Sequence, residues 1–325
     1  PEDAARARNA AVRRAMRTHF LPAFYARLGG TNAPSRSAAA AAVADAASGG
    51  AATGARVSTH QLLIALPLLH VICALPANER ELELPALLIR LCAHLRSRDT
   101  DVRVAARAAL CDVAAELGAR RLSTVVRVMR RTLVRGFEAQ VFGYTLHALV
   151  VRVAPLAAPG ELDADVGYLA ALAVTDAFGD AEEKRGVAAI ASKTREAGAG
   201  GKSFATLGAL AAAISFTPAA LNALLAPLLR LSAGEGVGAA AGGAAGEGLA
   251  DRLDGGAPNA ALEKRLGEAL QHVCAGIRAN RTVSAPALCR LVRGLLQNAL
   301  PADAPATTAK GCLLYTSPSP RDGLL

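Results

Sequence analysis

The chain has 325 residues, a formal net charge of +9, eleven aromatic residues, no Trp and six Cys. Its 77 Ala make up close to half of the hydrophobic class, and Ala is the best helix former and a poor strand former. That balance excludes a β-sandwich or barrel, sparse Cys excludes a disulfide-rich secreted scaffold, and a basic, mostly helical protein remains.

The chain opens Pro1-Glu2-Asp3 with no Met, which reads as a piece of a longer protein, so the lack of a leader decides nothing. Residues 1–36 read as an N-terminal helical segment. Residues 37–56 and 233–258 are Ala/Gly-rich, without long apolar side chains at helical spacing, and read as flexible inserts.

Between the inserts, 57–232 reads as a train of helices. His60–Leu75, Leu82–Leu95, Asp101–Leu117 and Leu122–Val134 carry apolar residues at i, i+3, i+4, i+7 spacing. Short breaks at Pro76-Ala-Asn, Arg96-Ser-Arg-Asp and Gly118-Ala imply antiparallel hairpins. Cys73, Cys92 and Cys111 recur every 19 residues, a hairpin period near the HEAT/armadillo range. The stretch Leu84–Leu95 followed by Arg98–Leu110 resembles the HEAT repeat. It has a Pro-bearing first helix and an acidic turn, with Val102, Arg103, Ala106 and Leu110 on the motif positions of the second helix. A single hairpin cannot bury its apolar face alone, so the expectation is an all-α, HEAT/armadillo-like α-solenoid of antiparallel helical hairpins.

Ser203–Leu229 is uncharged and long enough to span a bilayer. Thr217-Pro218 reads instead as an N-cap and first helical residue, which splits the stretch into two buried helices. Residues 259–300 read as a further hairpin of the array and 301–325 as a disordered tail. The composition breaks at 312–325, Cys312 to Leu325, which resembles translated adaptor sequence rather than native protein.

Four segments together resemble the C-terminal part of the U3 small nucleolar RNA-associated protein 20 family, also called the down-regulated-in-metastasis family. They are Leu133–Leu149 with its Arg-Gly-Phe start, Leu162–Lys184 continuing into Ile190–Ala197, Lys202-Ser203 before a helix, and Gly276–Leu288. Their order and spacing hold from about Val57 to Leu300. Arg281 stands where the family often has Pro, and the Gly-rich insert before Asp251 is long. The resemblance implies a small piece of a very large helical-repeat protein of the nucleolar small-subunit processome, acting in pre-rRNA processing and small-subunit assembly. It carries over no catalytic residue.

The remaining constellations are weak. Gly198-Ala-Gly-Gly-Lys-Ser203 lacks the first Gly of a P-loop, since that position is Glu196, and reads as a turn between helices. No Cys pair has zinc spacing, and the five Cys before the tail sit among apolar residues as small hydrophobes. His60, His70, His94, His147 and His272 have no catalytic partner at recognisable spacing. No cofactor, metal, membrane or small-molecule substrate is expected.

Charge is the informative signal. Ala86–Gly136 holds eleven Arg and four acids, whereas Glu161–Glu196 holds eight acids and four bases. This reads as charge polarised along the solenoid. At about 100° per residue, Leu122, Val126, Met129 and Leu133 share one helix face and Arg120, Arg127, Arg131 and Arg135 the opposite one, with no acid at i±4. Arg grips phosphate with a bidentate fork, so these four are the candidate RNA contacts. The expected partners are processome assembly factors and phosphates of pre-rRNA or U3 small nucleolar RNA. The competing reading is a HEAT-repeat protein–protein adaptor outside ribosome biogenesis, of the transport or phosphatase-scaffold type, with the arginines forming a solvated face.

Overall fold

The structure, a computed structural model, describes residues 2–28, 59–133, 137–178, 199–233 and 260–299. The chain divides into two compact units, Pro1–Thr282 and Val283–Leu325. The described residues of both are helical, with no strand among them. Both Ala/Gly-rich stretches and the tail lie largely or wholly outside the described residues.

The first unit starts with α1 (Glu2–Ala15), a π turn (Met16–Phe20) and α2 (Leu21–Arg27). Next come α3 (Thr59–Leu62) and α4 (Ala65–Cys73), where one continuous helix was expected. Pro67 explains the break: its ring lacks an N–H and clashes with the carbonyl four residues back, at Leu63. Leu63 is turned out, 73% exposed.

Helix α5 (Ala77–His94) begins five residues earlier than expected, because Pro76 with φ −55° launches it directly. It carries Pro85 within it. Helix α6 (Thr100–Leu117) is capped by Asp99, whose Oδ1 accepts from the Asp101 N–H at 2.9 Å. It stops at Gly118, which takes φ +81°, a left-handed conformation that only Gly adopts without strain. After a 3-10 turn (Ala119–Arg121) come α7 (Leu122–Thr132) and α8 (Phe137–Val153).

A turn region centred on Gly160 leads to α9 (Val166–Phe178). Helices α10 (Ala199–Ala213) and α11 (Pro218–Ser232) replace any single span over Ser203–Leu229. Thr217 caps α11 by accepting from the Ala220 N–H at 3.3 Å, with Pro218 at the first helical position. No helix among the described residues is long and apolar enough to cross a membrane. The unit closes with α12 (Ala260–Ala279). In the second unit, α13 (Ala285–Ala299) starts after Ser284, whose Oγ accepts from the Ala287 N–H.

Sequential helices form hairpins, and alternate helices also pack side by side: α4 on α6, α5 on α7, α6 on α8, α8 on α10, α9 on α11 and α10 on α12. Leu87, Leu91, Leu110, Val126, Leu149, Leu207 and Leu224 fill the seam at zero exposure. The motif residues Val102, Ala106 and Leu110 point into it, with small Ala106 allowing close approach.

Polar contacts between alternate helices recur near a forty-residue offset. Arg107 Nε donates to Thr145 Oγ1, 38 residues away. Arg121 pairs with Glu81 and Arg152 with Asp112, each 40 apart, and Arg96 with Glu138 at 42. His147 and Thr206, 59 residues apart, also meet.

Cys92 and Cys111 are buried, but Cys73, Cys274 and Cys289 are exposed, which corrects the expectation that all five are packed among apolar side chains.

Candidate nucleic-acid interface

Helix α7 is sharply two-faced. Leu122, Val125, Val126 and Met129 are fully buried on one side, and Arg127 and Arg131 are exposed on the other. Arg120 lies before the helix, in the 3-10 turn that follows Gly118. Arg135 lies outside the described residues.

The three described arginines of the stripe have different surroundings. Arg120 is 82% exposed, and its Nε meets Glu161 Oε1 at 3.2 Å. Arg127 lies over the Tyr168 ring of α9, 5.3 Å from its centre, a contact that orients a guanidinium while leaving its edge open. Arg131 makes no ion pair among the described residues. The stripe therefore has no acid at i±4 on its own helix, but Arg120 is neutralised from a neighbouring element.

Most of the remaining arginines of the basic window serve the fold. Arg103 is fully buried and donates to the Ser97 carbonyl at 2.9 Å, the Arg98 carbonyl at 3.1 Å and Thr100 Oγ1 at 3.1 Å. It satisfies the carbonyls where α5 ends. Arg107 lies 4.2 Å over the Tyr144 ring, and Arg90 4.7 Å over Tyr25. Arg98 is exposed, like Arg131. Sequence reasoning counted Arg98 in the window but not as a contact residue.

The basic and acidic windows are also not distant. The Arg120–Glu161 pair joins them, because the turn before α9 sits beside the turn before α7. The reading of charge polarised along the array is corrected: stacking brings positions some forty residues apart into contact.

Two of the histidines join elements through hydrogen bonds. His94 Nε2 donates to the Leu28 carbonyl at 2.8 Å, and burial lowers its pKa. Thr206 Oγ1 donates to the Lys202 carbonyl, so His147 Nδ1 donates to Thr206. Burial and the Lys202 charge lower the His147 pKa. Tyr25 donates to Glu83 Oε2 at 2.9 Å, and its pKa is raised by burial and by that carboxylate.

Gly200-Gly201-Lys202 forms the first turn of α10, not the turn between helices that was expected. Lys202 extends over the Tyr144 ring and Ser203 donates to Asp176, contacts that fix this segment as helix against α8 and α9. No group of His, Cys, Asp and Glu among the described residues is arranged to hold a metal.

The model of the U3 small nucleolar RNA-associated protein 20 domain matches residues 54–296, about three quarters of the chain. The chain belongs to this family. A U3 small nucleolar RNA-associated protein 20 of Schizosaccharomyces pombe is 31% identical over 170 residues, 52% of this chain. The protein of the same description in Saccharomyces cerevisiae is 28% identical over 168 residues, also 52% of the chain. The match spans only 7% of the length of either relative.

The segments that carry the family resemblance have distinct structural roles. Leu133–Leu149 leads into α8, which faces both α6 and α10. Gly276 and Asn280 lie where α12 meets α10. Parts of the second segment, 179–184 and 190–197, lie outside the described residues.

Proposed function

We propose that this chain is part of a non-catalytic helical-repeat scaffold of the small-subunit processome. It acts in pre-rRNA processing and small ribosomal subunit assembly, in the nucleolus. The observation that carries this reading is the family match over residues 54–296. Both relatives are, by name, associated with U3 small nucleolar RNA.

A HEAT-like solenoid is the architecture this reading adopts. It is supported by the side-by-side packing of alternate helices and by polar contacts at offsets of 38, 40 and 42 residues. In such a stack each hairpin contacts its neighbours, and the surface serves binding. Residues 57–232 and 259–300 supply the repeats, with the Ala/Gly-rich stretch 233–258 inserted between them and 37–56 inserted before the first. RNA phosphate contacts come from within the stripe Arg120, Arg127, Arg131 and Arg135, and assembly factors cover other faces. No catalytic residue is assigned.

The test is to purify the full-length protein by an affinity tag from growing cells and quantify co-purifying RNA. Enrichment of U3 small nucleolar RNA and small-subunit precursor over bulk RNA is expected. A particle without U3 overturns the reading.

A further inference from the structure

We infer that RNA runs along one edge of the first unit, the edge where α5 passes into α6 and α7 into α8, with Arg98 and Arg131 as phosphate contacts. This deepens the proposed scaffold function and rests on it. It also divides the arginine stripe, leaving Arg120 out of the contact.

The two edges follow from the stacking. Arg96 at the end of α5 reaches Glu138 at the start of α8, so those ends lie together on one edge. Arg121 before α7 reaches Glu81 near the start of α5, and Arg152 near the end of α8 reaches Asp112 in α6. Arg120 reaches Glu161 before α9. These ends make the opposite edge. Helix α7 runs from one edge to the other, and its eleven residues cover about 16 Å at 1.5 Å per residue. Arg120 and Arg131 therefore face different edges.

The edges differ in charge. On the second, Arg120, Arg121 and Arg152 are each ion-paired to a carboxylate, and Asp163 and Asp165 lie there besides. A polyanion approaching it would meet arginines already paired and two further carboxylates, of which Asp163 is held by Ser215. On the first lie Arg96, Arg98, Arg130 and Arg131 with Asp99, Asp101 and Glu138, while Arg103 is buried there. Glu138 is taken by Arg96, and Asp99 accepts the Asp101 N–H at the start of α6. Arg98 and Arg131 are exposed. They stand on successive hairpins, so their spacing is set by helix packing, at roughly 8–10 Å between adjacent helices. A contact of this kind with RNA phosphate releases counterions and is salt-sensitive.

The test uses the full 325-residue chain and a labelled, unstructured RNA oligonucleotide of mixed sequence. Arg98→Glu with Arg131→Glu is compared with Arg120→Glu with Arg121→Glu, and Arg98→Gln with Arg131→Gln provides a milder pair. Thermal unfolding of each variant separates misfolding from lost contact. Charge reversal at Arg98 and Arg131 should weaken binding at least tenfold. It should also flatten the slope of log affinity against log salt by about 1.4, the value for two phosphate contacts on a single strand. The Gln pair should lose less affinity with the same slope change. The Arg120/Arg121 pair should bind as the unaltered chain does. Equal loss from both reversed pairs, loss from the Arg120/Arg121 pair alone, or no RNA binding by the unaltered chain overturns the assignment. U3 enrichment on the full-length protein then tells whether the scaffold reading fails with it or stands alone.

Discussion

Asn280 closes the end of α10, donating from Nδ2 to the Ile214 carbonyl at 2.7 Å. The same amide reaches the Ala211 carbonyl at 2.8 Å, and Oδ1 accepts from the Thr282 N–H and hydroxyl. The residue is 6% exposed, so these carbonyls have little water to turn to. Asn280→Ala should cost about 1–3 kcal/mol, the cost of leaving buried acceptors unsatisfied. Asn280→Asp should cost more, because it removes both donors and sets a carboxylate against two carbonyl oxygens. Urea unfolding of the chain measures both, and an Asp variant as stable as Asn would refute the account.

Gly208 and Gly276 mark the closest approach of α10 and α12. A Cβ on Gly208 would lie 2.9 Å from the His272 carbonyl oxygen, and one on Gly276 would run into the Gly208 carbonyl. Gly276→Ala must therefore separate two helices and should destabilise by about 1–3 kcal/mol, as overpacking does. Gly267, on the same helix, has nothing within 4 Å of its Cβ position. Gly267→Ala should stabilise by about 0.5–1 kcal/mol, since Ala costs less backbone entropy in a helix. Opposite signs in one thermal-melt series are the expected result.

Acidification should destabilise the first unit. Burial holds the His94 pKa below the value it takes unfolded, about 6.5. A depressed folded pKa gives stability that is present above about 6.5 and lost as pH falls toward the folded value, because the unfolded chain binds the proton first. His147 adds to the effect in the same direction. The urea midpoint should fall between about pH 7.5 and 5.5, and His94→Gln should fall less over that window. A variant that tracks the parent would show that His94 is not the source.

Thiol reactivity should divide the cysteines. Burial pushes Cys92 up to about 12 and Cys111 up to about 11, while Cys73, Cys274 and Cys289 are exposed. An alkylating reagent at mildly alkaline pH should label those three in the native chain, and Cys92 and Cys111 only after denaturation. Native labelling of Cys92, read by peptide mass spectrometry, would contradict the packing of α5.

Local chemistry was the most legible part of the sequence. Asp99, Thr217-Pro218 and Gly118 act at helix ends as their side chains or backbone freedom dictate. Val102, Ala106 and Leu110 face inward, as their spacing requires. The illegible part was the fate of the arginines. A charge count in a window reads neighbours along the chain, yet Arg120 and Glu161 are neighbours only because hairpins stack. A motif position gave Arg103 no role, but it is buried and donates to carbonyls of the turn between α5 and α6. The 19-residue Cys period held the missing information: doubled, it falls close to the offset at which these pairs form.

That offset also separates position along the chain from position in the stack. His147 meets Thr206 at 59 residues, and Asn280 meets Ala211 at 69, across stretches of 20 and 26 residues outside the described set. One residue gained or lost inside α8 would rotate every rung beyond it by about 100°. The helices of this chain must keep count of their residues.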